Sequence, residues 1–172
     1  MASRLRKSYA AFHQPGPPRR ALPILLLAFL LDQLSKWLIL FSPAAKSRVP
    51  ITGFLDFVLI WNTGISYGIF SGNGSIGQLV MVGVTLLICL FFIWMLGEAK
   101  TKAGAFGTAL IIGGAFGNVI DRIVHGAVVD FISLHYRDYY WYVFNLADIW
   151  ITLGCILVLI DSFMQKDEAV ET

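Results

Sequence analysis

Five aspartates sit inside or beside long apolar runs of this 172-residue chain: Asp32, Asp121, Asp130, Asp148 and Asp161. An ionisable side chain in such a place is costly, so each is a functional candidate by default. Two carboxylates held close together cannot both ionise easily, and such a pair shares one proton. The ionised member can take a proton from water. The protonated member can donate to a peptide carbonyl as that carbonyl becomes tetrahedral. That is peptide hydrolysis with neither a metal nor a covalent intermediate. Asp130 and Asp148 are the candidates for this pair, and structural pairing with Arg122 or Arg137 is the competing explanation. Other catalytic sets are not evident. Cys89 is far in sequence from any His, and His125 and His135 lack neighbours of the HExxH kind. Cys89 and Cys155 have no CxxC spacing and read as small core residues. Neither a metal site nor a cofactor is expected.

The elements that must position these groups follow from composition. The chain is 57% apolar and 14% charged, with a mean hydropathy of +0.71. A soluble domain is about 45–50% apolar and about 25% charged. This chain has too few charges to cover a water-facing surface, and it reads as an integral membrane protein. Its formal charge of +2 is too small to mark a polyanion, so a nucleic-acid partner is excluded. A bilayer core needs about 20 mostly apolar residues as helix. Four stretches qualify, at about 22–41, 76–96, 103–120 and 143–163. The basic segment 1–20, with Pro15, Pro17 and Pro18, is expected to be a disordered tail. A cleaved signal peptide is weighed against a retained first helix. The run is long for a signal peptide and carries Asp32 and Lys36, so a retained helix is expected.

Orientation follows from Lys and Arg. Arg4, Arg6, Lys7, Arg19, Arg20, Lys100, Lys102 and Lys166 fall on one side of four spans, against Lys46, Arg48, Arg122 and Arg137 on the other. Eight against four places both termini in the cytoplasm. The segment 51–70 tempts a fifth span. Gly53, Asp56 and the Asn62-Thr63-Gly64 break argue instead for a short sheet on the outer surface. The segment 122–142 is the second outer connection. Its Tyr136, Tyr139, Tyr140, Trp141 and Tyr142 suit an interfacial belt, with a substrate-facing role for some as the alternative. Span three runs outward and span four inward, so Asp148 lies about one and a half turns below the outer surface. Asp130 sits in the connection between the two outer ends and can meet it there. Asp161, at the cytoplasmic end, is expected to be solvated. Asn145 and Asp148 are three apart on one helix face, and Asn118 and Arg122 are four apart on another. Asp32 and Lys36, four apart, read as an ion pair. Gly113 and Gly117 form a GxxxG packing motif.

Five pieces then stand in series: LDQLSK at 31–36, WNTG at 61–64, GGAFGNVIDR at 113–122, VVDF at 128–131 and FNLAD at 144–148. In order and spacing they resemble lipoprotein signal peptidase (signal peptidase II), a family of bacterial intramembrane aspartic proteases. The resemblance implies an all-α membrane protein of four transmembrane helices, with a small extracytoplasmic β-cradle and a short outer amphipathic helix. It implies a catalytic pair at Asp130 and Asp148. Its other functional positions fall on Asp32, Lys36, Asn62, Gly64, Gly114, Asn118, Arg122 and Asn145. The implied substrates are diacylglyceryl-modified prolipoproteins, cut N-terminal to the lipidated Cys, and globomycin-type inhibitors would occupy the pair. The implied place is the bacterial cytoplasmic (inner) membrane, with the active site at the outer face. The expected organisation is a basic cytoplasmic tail at 1–20, one peptidase domain at 21–164 and a cytoplasmic tail at 165–172. A monomer among membrane lipids is expected. After WNTG this chain reads Ile65, Ser66, Tyr67 and Gly68 where many members have AAFS, which bears on lipobox preference.

Two other functions compete on the residues. An ion- or proton-coupled transporter subunit would space its acids through the membrane depth. Here the candidate pair lies at one face, and only Asp32 lies deeper. A non-catalytic scaffold would leave the polar series from Asn62 to Asp148 unexplained.

Overall fold

The structure is a computed structural model and describes residues 21–64 and 74–170. The basic tail and the stretch Ile65 to Gly68 lie outside the described residues. Four helices dominate: α1 (Ala21–Leu40), α2 (Gly74–Gly97), α3 (Lys102–His125) and α4 (Leu146–Val170). Each contains a stretch long and apolar enough to cross a bilayer. With its Leu, Phe and Trp side chains facing outward, this is a multi-pass membrane protein. On α2, for instance, Leu79, Leu87, Leu90 and Trp94 are all exposed.

The central helix is α3. About 78% of its spanning window is buried, against 22%, 6% and 17% for α1, α2 and α4. Its sequence explains this, because small residues let neighbouring backbones approach closely. A Cβ on Gly107 would lie 2.8 Å from the Gly154 carbonyl oxygen of α4, and one on Gly113 would lie 2.6 Å from that of Leu25 on α1. Gly117 leaves room for the Asp32 carboxylate itself. Thr101 caps α3, its Oγ1 accepting from the Gly104 amide at 2.9 Å. Gly126 ends the helix in the left-handed conformation, at φ 71°.

At the other end from Thr101, where α1 and α3 finish and α4 begins, lies an antiparallel sheet in the order β1-β2-β3-β4. The strands are β1 (Val49–Pro50), β2 (Leu55–Asn62), β3 (Val128–Tyr136) and β4 (Tyr139–Phe144). In the described part of the tempting fifth span, up to Gly64, residues Leu55–Asn62 form a strand. The second connection is a hairpin that turns at Arg137, with φ 54°. Val143 and Phe144 complete β4, so α4 starts three residues later than its apolar run. Outside the four spans, the one helical piece among the described residues is a 3-10 turn at Pro43–Ala45. The amphipathic helix that the resemblance implies is not among them.

A β-bulge between Phe57 and Ile60 organises the sheet. Asp56 pairs with Ser133 on one side of it, and Ile60 with Asp130 on the other. Since a one-residue slip moves side chains to the opposite face, the bulge gives β2 two different polar faces. Asn62 shares a face with Asp130. Asp56 shares one with Ser133, where Arg48 reaches both at 2.9 Å and His135 lies 3.2 Å from Asp56.

Asp161 corrects an expectation. It is buried, accepting from Thr101 Oγ1 at 2.8 Å and Gln165 Nε2 at 2.6 Å. The apolar run ends near Phe163 but α4 continues to Val170, so Asp161 lies inside the helix and ties it to the start of α3.

Candidate active site

The amino end of α4 lies deep between helices, and its first amides have no partners within the helix. Asn145, fully buried, is the cap. Its Oδ1 accepts from the Asp148 amide at 3.1 Å, and Asp148 Oδ2 accepts from the Asn145 amide at 3.1 Å. This is a reciprocal capping box built from Asn and Asp. The Ala147 amide between them donates to Asp32 Oδ1 of α1 at 2.8 Å. Gly114 permits the approach, because a Cβ there would lie 2.6 Å from the Ala147 carbonyl oxygen.

Asp32 is itself held by Lys36. The buried Lys36 Nζ lies 2.8 Å from Asp32 Oδ2, 2.8 Å from Asp121 Oδ2 and 2.8 Å from Asn118 Oδ1. All three ammonium donors are thereby used. Asp121 repeats on β3 what Asp32 does on α4: its Oδ2 accepts from the Val129 amide at 3.1 Å. Gln33 Nε2 bridges Asp121 Oδ1 and the Gly117 carbonyl, at 3.0 and 3.2 Å. Each carboxylate bound to Lys36 thus grips the amide one residue before a member of the candidate pair, Asp32 before Asp148 and Asp121 before Asp130.

The pair meets across Asn145. Asn145 Nδ2 donates to Asp130 Oδ1 at 2.6 Å, while its backbone amide serves Asp148. Asn62 Nδ2 donates to Asp130 Oδ2 at 2.9 Å, and Asn118 Nδ2 to Asp148 Oδ1 at 3.1 Å. Asp130 is 1% exposed, whereas Asp148 is half-buried. Burial pushes the Asp130 carboxyl up to about 6, and the Asp148 charge adds to the rise against the Asn62 and Asn145 donors. Two carboxylates in unlike surroundings, one of them raised toward neutral pH, are an arrangement that can divide acid and base roles. Among the described residues no ion pair joins either one to Arg122 or Arg137, while the charges of both act on the Arg122 guanidinium. No metal-holding cluster of three His, Cys, Asp or Glu occurs among the described residues.

Seven of the ten expected positions form this one connected web: Asp32, Lys36, Asn62, Asn118, Asp130, Asn145 and Asp148. Gly114 backs it by close packing. Gly64, at φ 98°, closes a turn in which its amide donates to Asn62 Oδ1 at 2.9 Å. Arg122 stands beside the web, donating to the Asn118 carbonyl at 3.2 Å, with its buried Nε unpartnered. Asp121 is one of the five candidate aspartates but stands outside the ten expected site positions. Asn118, Asp121 and Arg122 share one helix face, and that spacing was the available signal. Gln33 was missed inside LDQLSK. Tyr142 leaves the aromatic belt, its hydroxyl accepting from Asn62 Nδ2 at 3.0 Å.

Comparison with known proteins gives a consistent result. Residues 24–164 match the family model described as signal peptidase (SPase) II. The chain is similar to the lipoprotein signal peptidase of Rhodopseudomonas palustris (strain TIE-1), at 46% identity over 86% of this chain and 94% of that one. It is similar to the lipoprotein signal peptidase of Serratia marcescens, at 38% identity over 78% and 79%. Its fold resembles a solved bacterial membrane enzyme with a TM-score of 0.75 and 26% identity, covering 93% of this chain and 96% of the other.

Lys36→Met should destabilise the protein by about 3–5 kcal/mol, since it leaves buried carboxylates without their cation. Adding Asp121→Asn should recover part of that loss. Thermal unfolding in one detergent checks both, and an unchanged midpoint for Lys36→Met would remove the ammonium from its supporting role.

Proposed function

The chain belongs to the signal peptidase II family, and from that premise we propose that Asp130 and Asp148 carry out its hydrolysis of diacylglyceryl-prolipoproteins. The family is one of lipoprotein signal peptidases, membrane proteases that act on prolipoproteins. The observation that carries the assignment of residues is the junction at Asn145. One buried side chain there binds one carboxylate through its amide group and the other through its backbone.

The division of labour follows from environment. Half-buried Asp148 acts as the base: it removes a proton from water as the water oxygen bonds to the scissile carbonyl carbon. Buried Asp130 holds the shared proton and donates to the carbonyl oxygen. As the tetrahedral centre collapses, one of its hydroxyls returns a proton to Asp130, the C–N bond breaks and the proton taken by Asp148 passes to the leaving nitrogen of the lipidated Cys. The signal peptide departs with a new carboxylate. Asn62, Asn118 and Asn145 fix the four carboxylate oxygens, and Asp32, Lys36 and Asp121 fix the backbone that carries them. Globomycin-type inhibitors would bind between the two carboxylates.

Residues 21–164 form the peptidase unit, preceded by the segment 1–20 and followed by 165–172, of which α4 takes in residues up to Val170. The excess of Lys and Arg on one side supports cytoplasmic termini and an outward-facing sheet, in the bacterial inner membrane. The pair lies where sheet and bundle join, so a bond anchored by acyl chains can reach it from the lipid side. That anchoring lowers the entropic cost of near-attack geometry.

Removing the diacylglyceryl group from one prolipoprotein should lower kcat/KM about tenfold or more in the same nanodisc. Equal values for the two forms would remove lipid from the account. For topology, single cysteines replace exposed Glu98 and Tyr136 in a background lacking Cys89 and Cys155. An impermeant thiol reagent on intact cells should label Tyr136→Cys and spare Glu98→Cys, and the reverse pattern would invert the orientation.

A further inference from the structure

A groove of about 380 Å³ opens directly beside Asp148. Tyr142 and Phe144 of β4 form one wall, and Asp148, Ile149, Thr152 and Leu153 of α4 form the other. Apart from the Asp148 carboxylate, the Tyr142 hydroxyl and the Thr152 hydroxyl, the lining is hydrocarbon and aromatic. The α4 residues follow at i, i+1, i+4 and i+5, so the wall is a stripe along one side of the helix. From Asp148 to Leu153 it descends about 7.5 Å at 1.5 Å per residue, from the sheet end toward the middle of the span. We propose that this groove takes an acyl chain of the substrate's diacylglyceryl group, and that Ile149, Thr152 and Leu153 set the preferred chain.

The assignment rests on the function proposed above and on the chemistry of attachment. The lipid is carried by the Cys side chain immediately after the scissile bond. Its glycerol must therefore leave the active site within a few bonds of the two carboxylates. A groove that has Asp148 in its own wall, and continues along a lipid-facing helix, meets that requirement. A helical signal peptide does not fit, because a helix with side chains is about 10–12 Å across. A single hydrocarbon chain does. Leu153 lines the groove and is 43% exposed, so its side chain stands outside the core.

The test uses one prolipoprotein peptide bearing a dibutyrylglyceryl group, a dipalmitoylglyceryl group or no lipid, with the full-length enzyme in nanodiscs. Leu153→Trp should lower the ratio of kcat/KM for the long chains over the short ones about tenfold. An unchanged ratio would overturn the groove, even where wild type still requires lipid. A wild type indifferent to lipid would overturn both the groove and the substrate reading. A second measurement needs no groove variant. A diazirine placed mid-chain on the dipalmitoyl substrate, bound to Asp130→Asn and irradiated, should form adducts on Ile149, Thr152 or Leu153. Adducts confined to α1 or α2 would also overturn it.

Discussion

One ammonium group, Lys36 Nζ, sits 2.8 Å from each of two buried carboxylates, and the rest of the site depends on it. A helix that begins inside a membrane protein exposes unpaired amides where no water can serve them. Here Asp32 serves one of these amides on α4, and Asp121 serves the first part of β3. Two buried carboxylates without a cation would be prohibitive. With Lys36 between them they become fixed backbone clamps. Asp130 and Asp148 each stand one residue beyond a clamped amide, on different elements. The ion pair of Asp32 and Lys36 is therefore more than the local helix pair its four-residue spacing suggests.

Packing serves the same end. α3 is lined with Gly and Ala, so α1 and α4 press close enough for Asp32 to cross to Ala147. A side chain at Gly117 would occupy the place of the Asp32 carboxylate. The bulge in β2 does comparable work in the sheet. It turns Asn62 toward Asp130 while Asp56 stays with Arg48 and Ser133. Function then follows from place. The pair lies at the junction of sheet and bundle, with apolar helix surface on one side and strand on the other.

Much of this was legible in the sequence. The four spans stand out because length and hydropathy decide membrane crossing almost alone. The polar series from Asp32 to Asp148 stands out because such residues are costly beside apolar runs. The strand at Leu55–Asn62 was legible from the glycines on either side of it, Gly53 and Gly64, from its acid and from its β-branched residues. The losses have physical causes. Asp161 looked terminal because hydropathy ends near Phe163, but the helix continues on polar residues that hydropathy does not register. Asp121 looked like the neighbour of Arg122, since nothing in sequence tells that Lys36 reaches across 85 residues to it. Val143 and Phe144 are apolar enough for helix, and only cross-strand pairing with Ser133 and Ile132 makes them strand. The split of the aromatic cluster, with Tyr142 turned to Asn62, depends on the same pairing.

The central claim is that two carboxylates, joined through Asn145, perform the hydrolysis. Asp130→Asn and Asp148→Asn keep side-chain size and remove the titrating group. Both purified variants, shown to be folded by thermal unfolding, are assayed on a lipidated prolipoprotein beside wild type. Each should lose about three orders of magnitude in kcat, within the 10²–10⁴-fold typical of acid–base groups. Wild-type turnover by either folded variant would contradict the account.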